Sequence, residues 1–145
     1  MVQSRILMND KRGNIKMMWK YFLAWFGMMI LAILNGAARE MLYKQYVGDL
    51  PANQISTVIL IALISGYFYF LIKVVPLESS RQAWMAGVMW FLMTEVFEFG
   101  MGIFSGKTWA ELFQAYNIIA GQWWILIPIW VLIGPPLFYK YFRTK

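Results

Sequence analysis

Two glutamates lie inside a long apolar stretch of the sequence, which is an expensive place for an ionisable side chain. Glu95 and Glu98 are three residues apart in a run that extends from about Gln82 to Phe104. An ionisable residue costs on the order of 2.5 to 3.5 kcal/mol at the centre of a membrane helix, so each one needs a compensating role. The spacing places both carboxyl groups on one helix face, where they could bind an ion, hold a proton or act as an acid/base pair.

Polar residues fall at a similar depth in the other apolar runs. A rise of about 1.5 Å per residue places the two glutamates about 20 and 24 Å from the start of their run. Counted in the same way from Lys20, Asn35 and Arg39 lie about 22 and 28 Å across, one helical turn apart. The sequence therefore predicts one polar cluster near a single membrane surface. Its members are Glu95, Glu98, Arg39, Asn35, Gln122 and Gln54.

Two interpretations of this cluster remain open. In the first, Arg39 forms a buried ion pair with one glutamate, and the amide side chains complete the hydrogen bonds that hold the helices together. In the second, the cluster lines a cavity open to the outside that binds an ion, a proton or a small polar ligand. The depth estimates favour Glu98, about 4 Å from Arg39 along the membrane normal, over Glu95 at about 8 Å. One acid then has no cation beside it, and we expect it to be protonated or ligand-bound.

The composition indicates what kind of protein carries this cluster. The chain has 145 residues, of which 61% are hydrophobic and 14% are charged, and its mean hydropathy is +0.55. These values are typical of an integral membrane protein, and runs of about 20 apolar residues must be helical in lipid. We predict one all-α domain, 1–145, a bundle of four transmembrane helices. Their approximate bounds are 17–38, 55–72, 82–104 and 118–138.

Local signals agree with the helix starts. Ser79 with Gln82, and Thr108 with Glu111, each match the capping-box pattern that opens a helix. The second box should open a short amphipathic segment that lies along the outer interface before helix four. The apolar face of that segment consists of Trp109, Leu112, Phe113 and Tyr116.

Proline and small residues predict the helix ends and contacts. We expect Pro128 to kink the fourth helix, and the Pro135-Pro136 pair to end it near Gly134. Small residues four apart allow helix backbones to approach closely, within one chain or between protomers. Such pairs include Ala32 with Gly36, Ala62 with Gly66, and Ala83 with Gly87.

Several kinds of chemistry are excluded by composition. The sequence contains neither Cys nor His, which rules out disulfides, thiolate chemistry, His-ligated metals and Ser-His-Asp triads. We expect no cofactor, no metal site and no catalytic residue. A stripe of Met85, Met89 and Met93 could offer thioethers to Cu(I), but such a stripe is more typical of adaptable packing. The basic residues that give the chain its formal charge of +6 cluster at the ends of the apolar runs. This placement does not indicate nucleic-acid binding.

A further similarity rests on four stretches of the sequence, namely Asn35 to Glu40, Gln54 to Thr57, Thr94 to Phe99, and Tyr116 to Gly121. These stretches resemble a family of small, functionally unassigned bacterial membrane proteins. The resemblance implies a prokaryotic inner membrane and a multi-pass protein, with no known activity. Relatives carry His near the positions of Asn53 and Ile103, where this chain has none, so any role of those His residues does not carry over.

Three functions are compatible with these features. The first is binding or conduction of a small solute or ion through the outward-facing polar cluster. The second is an accessory or assembly subunit of a larger membrane complex, in which the cluster is structural. The third is a membrane enzyme acting on a lipid-like substrate with the two glutamates as acid and base. The expected partners are membrane lipids, a small polar ligand or ion, and a second copy of the chain or a larger complex.

The distribution of basic residues predicts the topology. Of the 13 Lys and Arg residues, only Arg39, Lys44 and Lys107 fall on the predicted outer side. Because loops rich in Lys and Arg stay in the cytoplasm, both termini should be cytoplasmic. Reporter fusions at the two ends should therefore both report a cytoplasmic location. A C-terminal reporter found outside the cell would contradict four spans.

Overall fold

Helices joined by short loops make up the whole computed structural model, which describes residues 1–144 and contains no strand among them. The prediction of an all-α protein is confirmed. In chain order the elements are α1 (Val2–Ala38), a π-helical turn (Arg39–Tyr43), α2 (Lys44–Val47), α3 (Asp49–Val74), α4 (Ser80–Phe104), α5 (Trp109–Gln114), a 3-10 turn (Ile118–Ala120) and α6 (Leu126–Arg143).

Three of these helices are long and apolar enough to cross a membrane. They are α1 with its continuation to Val47, then α3, then α4. The remaining long helix, α6, has 18 residues. It packs against α3 and α4, and α1 packs against the same two helices. The result is a membrane protein whose longest helices surround a shared core.

An aromatic stack fills the middle of this core. The ring of Trp90 on α4 lies 5.4 Å from that of Tyr21 on α1 and 5.1 Å from that of Phe68 on α3. All three side chains are fully buried. Trp90 donates its indole N–H to the backbone carbonyl of Tyr21 at 2.7 Å, and Tyr21 donates its hydroxyl to Val75 at 2.8 Å. The stack therefore closes the bundle at this level and leaves no buried donor unpaired in these two rings.

The first helix is longer than the sequence indicates. It begins at Val2 rather than near 17 and, through the π-helical turn and α2, continues to Val47. The polar N-terminal residues are exposed and contain no Pro, so nothing in them interrupts the helical backbone. The π-helical turn, a rare feature that is frequent at functional sites, begins at Arg39.

The last helix begins later than predicted, at Leu126 rather than Ile118. The cause is a turn built around Asn117 and Gly121. Asn117 accepts the backbone N–H of Ala120 on its side chain at 3.3 Å and that of Gln122 on its carbonyl at 3.1 Å. Gly121 has a φ of 89°, which favours glycine and stops the 3-10 turn. Pro128 therefore lies in the first helical turn, where its missing N–H breaks no helical bond, and the expected kink does not arise.

The last helix also ends later than predicted, because the Pro135-Pro136 pair lies inside it and α6 continues to Arg143. A proline at 136 leaves the carbonyl of Leu132 without its helical partner. Gly87 on α4 packs directly against that carbonyl, and a glycine Cα–H can offer it a weak hydrogen bond. Packing against α4 thus stabilises the helix across the prolines.

The predicted pairs of small residues differ in burial. Ala83 and Gly87 are both buried, whereas Ala62 and Gly66 are exposed.

The two capping patterns have different outcomes. Thr108 and Glu111 form a complete capping box at the start of α5. Ser79 accepts the N–H of Gln82 at 3.1 Å, as expected. The Gln82 side chain, however, accepts from the backbone of Glu78 at 3.0 Å instead of the capping residue. It donates to Asn14 on α1 at 2.8 Å, so it joins two helices as well as opening one.

The close approach of α4 and α6 gives a paired prediction. Gly87→Ala would push a methyl group into the Leu132 carbonyl, a backbone atom that cannot rotate away. Overpacking of this kind costs about 1–3 kcal/mol. Gly66→Ala meets nothing within 4 Å and should stabilise its helix by roughly 0.8–1 kcal/mol. Thermal unfolding in detergent should move in opposite directions for the two variants. Equal shifts would show that the contact contributes nothing.

Candidate functional site

The loop between α4 and α6 folds back over the two acids of α4. The capping box holds α5 against the end of α4, where Leu112 packs on Gly102. Rings of Trp109, Phe113 and Tyr116 all lie within 6 Å of Phe99. The predicted amphipathic segment therefore exists, and its apolar face packs on α4. This packing directs the Tyr116 hydroxyl toward the glutamates.

Tyr116 joins Glu98 and Glu95 through a single hydroxyl. Its oxygen lies 2.5 Å from Oε2 of Glu98 and 3.2 and 3.3 Å from the two carboxyl oxygens of Glu95. The indole N–H of Trp124 donates to Oε1 of Glu98 at 2.8 Å. Burial and the adjacent carboxylates raise the pKa of Tyr116, so the hydroxyl keeps its proton and acts as a donor at neutral pH. Glu98 thus has a protein donor on each oxygen.

Arg39 does not form the expected ion pair with Glu98. Its Nε lies 3.3 Å from Oε1 of Glu40, and Oε2 of the same carboxylate accepts a hydrogen bond from Lys44 at 2.9 Å. The guanidinium carbon lies 5.9 Å from the ring centroid of Trp124, a cation–π distance. The indole of Trp124 therefore contacts Arg39 with its face and Glu98 with its N–H. The depth estimate was wrong about the partner because it contained no information on direction around the helix.

The amides of the predicted cluster have separate partners. Buried Asn35 donates to the hydroxyl and the carbonyl of Ser56, at 2.8 and 3.1 Å, and so ties α1 to α3. Arg39 contacts the same hydroxyl at 3.5 Å. Gln54 donates to the carbonyl of Gly121 at 2.9 Å, which ties α3 to the loop. Gln122 lines a cavity beside Glu98. These residues share one end of the bundle, but they form several small groups and not one network.

Two cavities meet at Arg39, Glu98 and Trp124. One, of about 250 Å³, lies between the long helices and is lined mainly by apolar side chains. The other, of about 340 Å³, lies under the loop and has a more polar lining. The apolar cavity includes Trp25, Met28, Met29, Ala32, Ile33, Ile64, Phe97 and Met101. The polar cavity includes Asn53, Ser105, Lys107, Tyr116 and Gln122.

Sequence reasoning missed the two residues that organise this site. Tyr116 was assigned to the apolar face of an interfacial segment, and Trp124 was left outside the predicted polar cluster, because Tyr and Trp rings commonly lie at the membrane interface. Their polar tips instead bind the glutamates. The sequence did contain one signal, because the predicted cluster has two acids and one arginine. Buried acids need hydrogen-bond donors, so at least one glutamate had to find a donor other than Arg39. No protein-family model, curated protein or solved structure matches the chain.

The shared hydroxyl predicts the protonation state of the acids. The Tyr116 hydroxyl has one hydrogen, so it can donate to only one of the two glutamates. Its contact with the other glutamate is favourable only if that carboxyl group carries a proton and donates it to the hydroxyl oxygen. Glu98 has the shorter contact and a second donor, whereas Glu95 also lines an apolar surface groove with Phe91, Val96 and Ile129. We therefore expect Glu95 to be protonated and Glu98 ionised.

Infrared spectroscopy can measure this proton. The carbonyl stretch of a protonated carboxyl group should be present at pH 7, should be lost in Glu95→Gln and should persist in Glu78→Gln, a control at an exposed acid. Absence of the band from the unmodified protein, or its survival in Glu95→Gln, would contradict the assignment.

Proposed function

We propose that this chain is a four-span integral protein of a prokaryotic cell membrane that binds a small molecule in the joined cavities at Arg39, Glu98 and Trp124. The proposal rests on an apolar and a polar cavity that lie side by side and share Arg39, Glu98 and Trp124 in their walls. Binding sites are typically concave, mostly apolar and supplied with a few converging polar groups. Both features occur at the end of the bundle where the predicted polar residues gather.

Four spans are supported by the length and position of α6. Its 18 residues extend about 27 Å at 1.5 Å per residue, close to the thickness of the hydrocarbon core. It also packs along α3 and α4, both of which are long enough to span. Four spans with basic residues concentrated at one end would place both termini in the cytoplasm and the joined cavities on the outer side.

The core favours binding over conduction by one chain. A solute moving inward from the apolar cavity would meet the stack of Tyr21, Trp90 and Phe68, all fully buried. Each ring lies one helical turn along its own helix from a residue that lines the apolar cavity. Those residues are Trp25, Thr94 and Ile64. The polar atoms of Tyr21 and Trp90 are already hydrogen-bonded to the backbone, and closely packed rings of this kind do not admit an ion or a polar solute. The cavity therefore ends blindly inside a single chain.

Filling the apolar cavity tests the proposal. Ala32 lines this cavity, so Ala32→Phe should occupy the space that a ligand needs. Native mass spectrometry of the purified protein should show a one-to-one adduct that is absent from this variant. Ala62→Phe adds the same ring at an exposed position of α3 outside both cavities and should keep the adduct. No adduct on the unmodified protein, or equal adducts on both variants, would contradict binding at this site.

A further inference from the structure

Arg39 has hydrogen-bond donors that the protein does not use. A guanidinium group has five N–H donors, and Arg39 uses Nε for Glu40 and one Nη1 hydrogen for Ser56. Its Nη2 has no acceptor among residues 1–144. A Cβ added to Gly36, in the wall of the apolar cavity, would lie 3.9 Å from Nη2. The free end of Arg39 thus lies beside the cavity.

The acid in the site already has donors from the protein. Each carboxyl oxygen of Glu98 accepts a hydrogen bond, one from Tyr116 and one from Trp124. The charged residues in the lining of the two cavities are Arg39, Lys107 and Glu98. Glu40 pairs with Arg39 but also with Lys44, so it does not remove the positive excess of the lining. Charge complementarity therefore favours an anionic group as the ligand's polar part.

The apolar cavity determines the other part of the ligand. A cavity of about 150 Å³ with an apolar lining binds benzene, and this one is about 250 Å³. Its wall includes Ile33 on α1 and Met101 on α4, each 51% exposed. These two neighbouring helices therefore leave the cavity accessible from the side, where lipid surrounds a membrane protein. An extended hydrocarbon chain could enter there without crossing water.

We propose that the ligand is an anionic membrane lipid, whose phosphate group binds Arg39 and Lys107 while one acyl chain occupies the apolar cavity. This inference specifies the ligand class of the proposed function and depends on it. The headgroup lies in the polar cavity beneath the loop, and Trp124 separates it from Glu98. Methionine side chains at Met28, Met29 and Met101 adapt to an irregular chain because they are unbranched and flexible.

The test compares two lipids that share the phosphate and the acyl chain but differ in the group attached to the phosphate. Lysophosphatidylglycerol, which is anionic, and lysophosphatidylcholine, which is zwitterionic, of the same acyl length are titrated into the detergent-purified full chain and followed by native mass spectrometry. The unmodified protein should prefer the anionic lipid by about tenfold, because Arg39 and Lys107 repel the choline cation that offsets the phosphate charge. Arg39→Gln should abolish the preference, and Arg39→Lys should retain part of it. Lys73→Gln removes one charge at the opposite end of α3 and should leave the preference intact.

Two further measurements keep the result interpretable. Lys107 lies on an exposed loop, so Lys107→Gln should fold normally and reduce the preference by about threefold. Glycerol phosphate, the headgroup without a chain, should bind at least tenfold more weakly, because it cannot fill the apolar cavity. Equal binding of glycerol phosphate would instead identify a free-phosphate site and overturn the lipid assignment.

The outcomes distinguish a wrong lipid assignment from a wrong ligand site. Equal affinity for the two lipids, with binding still lost in Ala32→Phe, would leave a ligand site but overturn the anionic headgroup. A preference that survives Arg39→Gln and disappears in Lys73→Gln would place the lipid at the basic end of the bundle and overturn the site. Absence of binding to either lipid, together with no adduct sensitive to Ala32→Phe, would overturn both.

Discussion

A membrane interior offers no hydrogen bonds, so each polar group placed there must find its partner within the protein. This constraint accounts for most of the specific contacts between the helices. Trp25 on α1 donates to Thr94 on α4 at 3.1 Å, and Trp130 on α6 donates to Ser65 on α3 at 3.0 Å. Asn35 joins α1 to Ser56 on α3. Because hydrophobic attraction does not distinguish one apolar helix from another in lipid, such pairs help determine which helices meet.

The same constraint explains why the acid and the base at the site are kept apart. Glu98 obtains its donors from Tyr116 and Trp124, while Arg39 obtains an acceptor from Glu40 near the end of its helix. A direct buried ion pair would have neutralised both groups and left little for a ligand to bind. With Trp124 between them, the acid is satisfied and the arginine retains free donors. The architecture of the loop, which sets the position of Tyr116, is therefore part of the proposed binding site.

The sequence predicted the helices and the end of the bundle that carries polar residues, because apolar length and residue depth follow from simple helix geometry. It did not predict partners, since depth along a helix gives no information on direction around it. Arg39 and Glu98 are the clearest case. The limits of α6 failed for a related reason: apolar residues continue through 118–125, but Asn117 and Gly121 form a turn there, and the contact of Gly87 with Leu132 holds the helix beyond two prolines.

If Arg39 is held away from Glu98 so that it can bind an anionic lipid, an experimental map of the full chain in nanodiscs containing phosphatidylglycerol should show that lipid. We expect elongated density in the apolar cavity, passing between Ile33 and Met101, with its phosphate beside Nη2 of Arg39. Trp124 should still lie between the guanidinium and Glu98. An empty cavity, with Arg39 paired directly to Glu98, would show that Arg39 does not bind a lipid in this way.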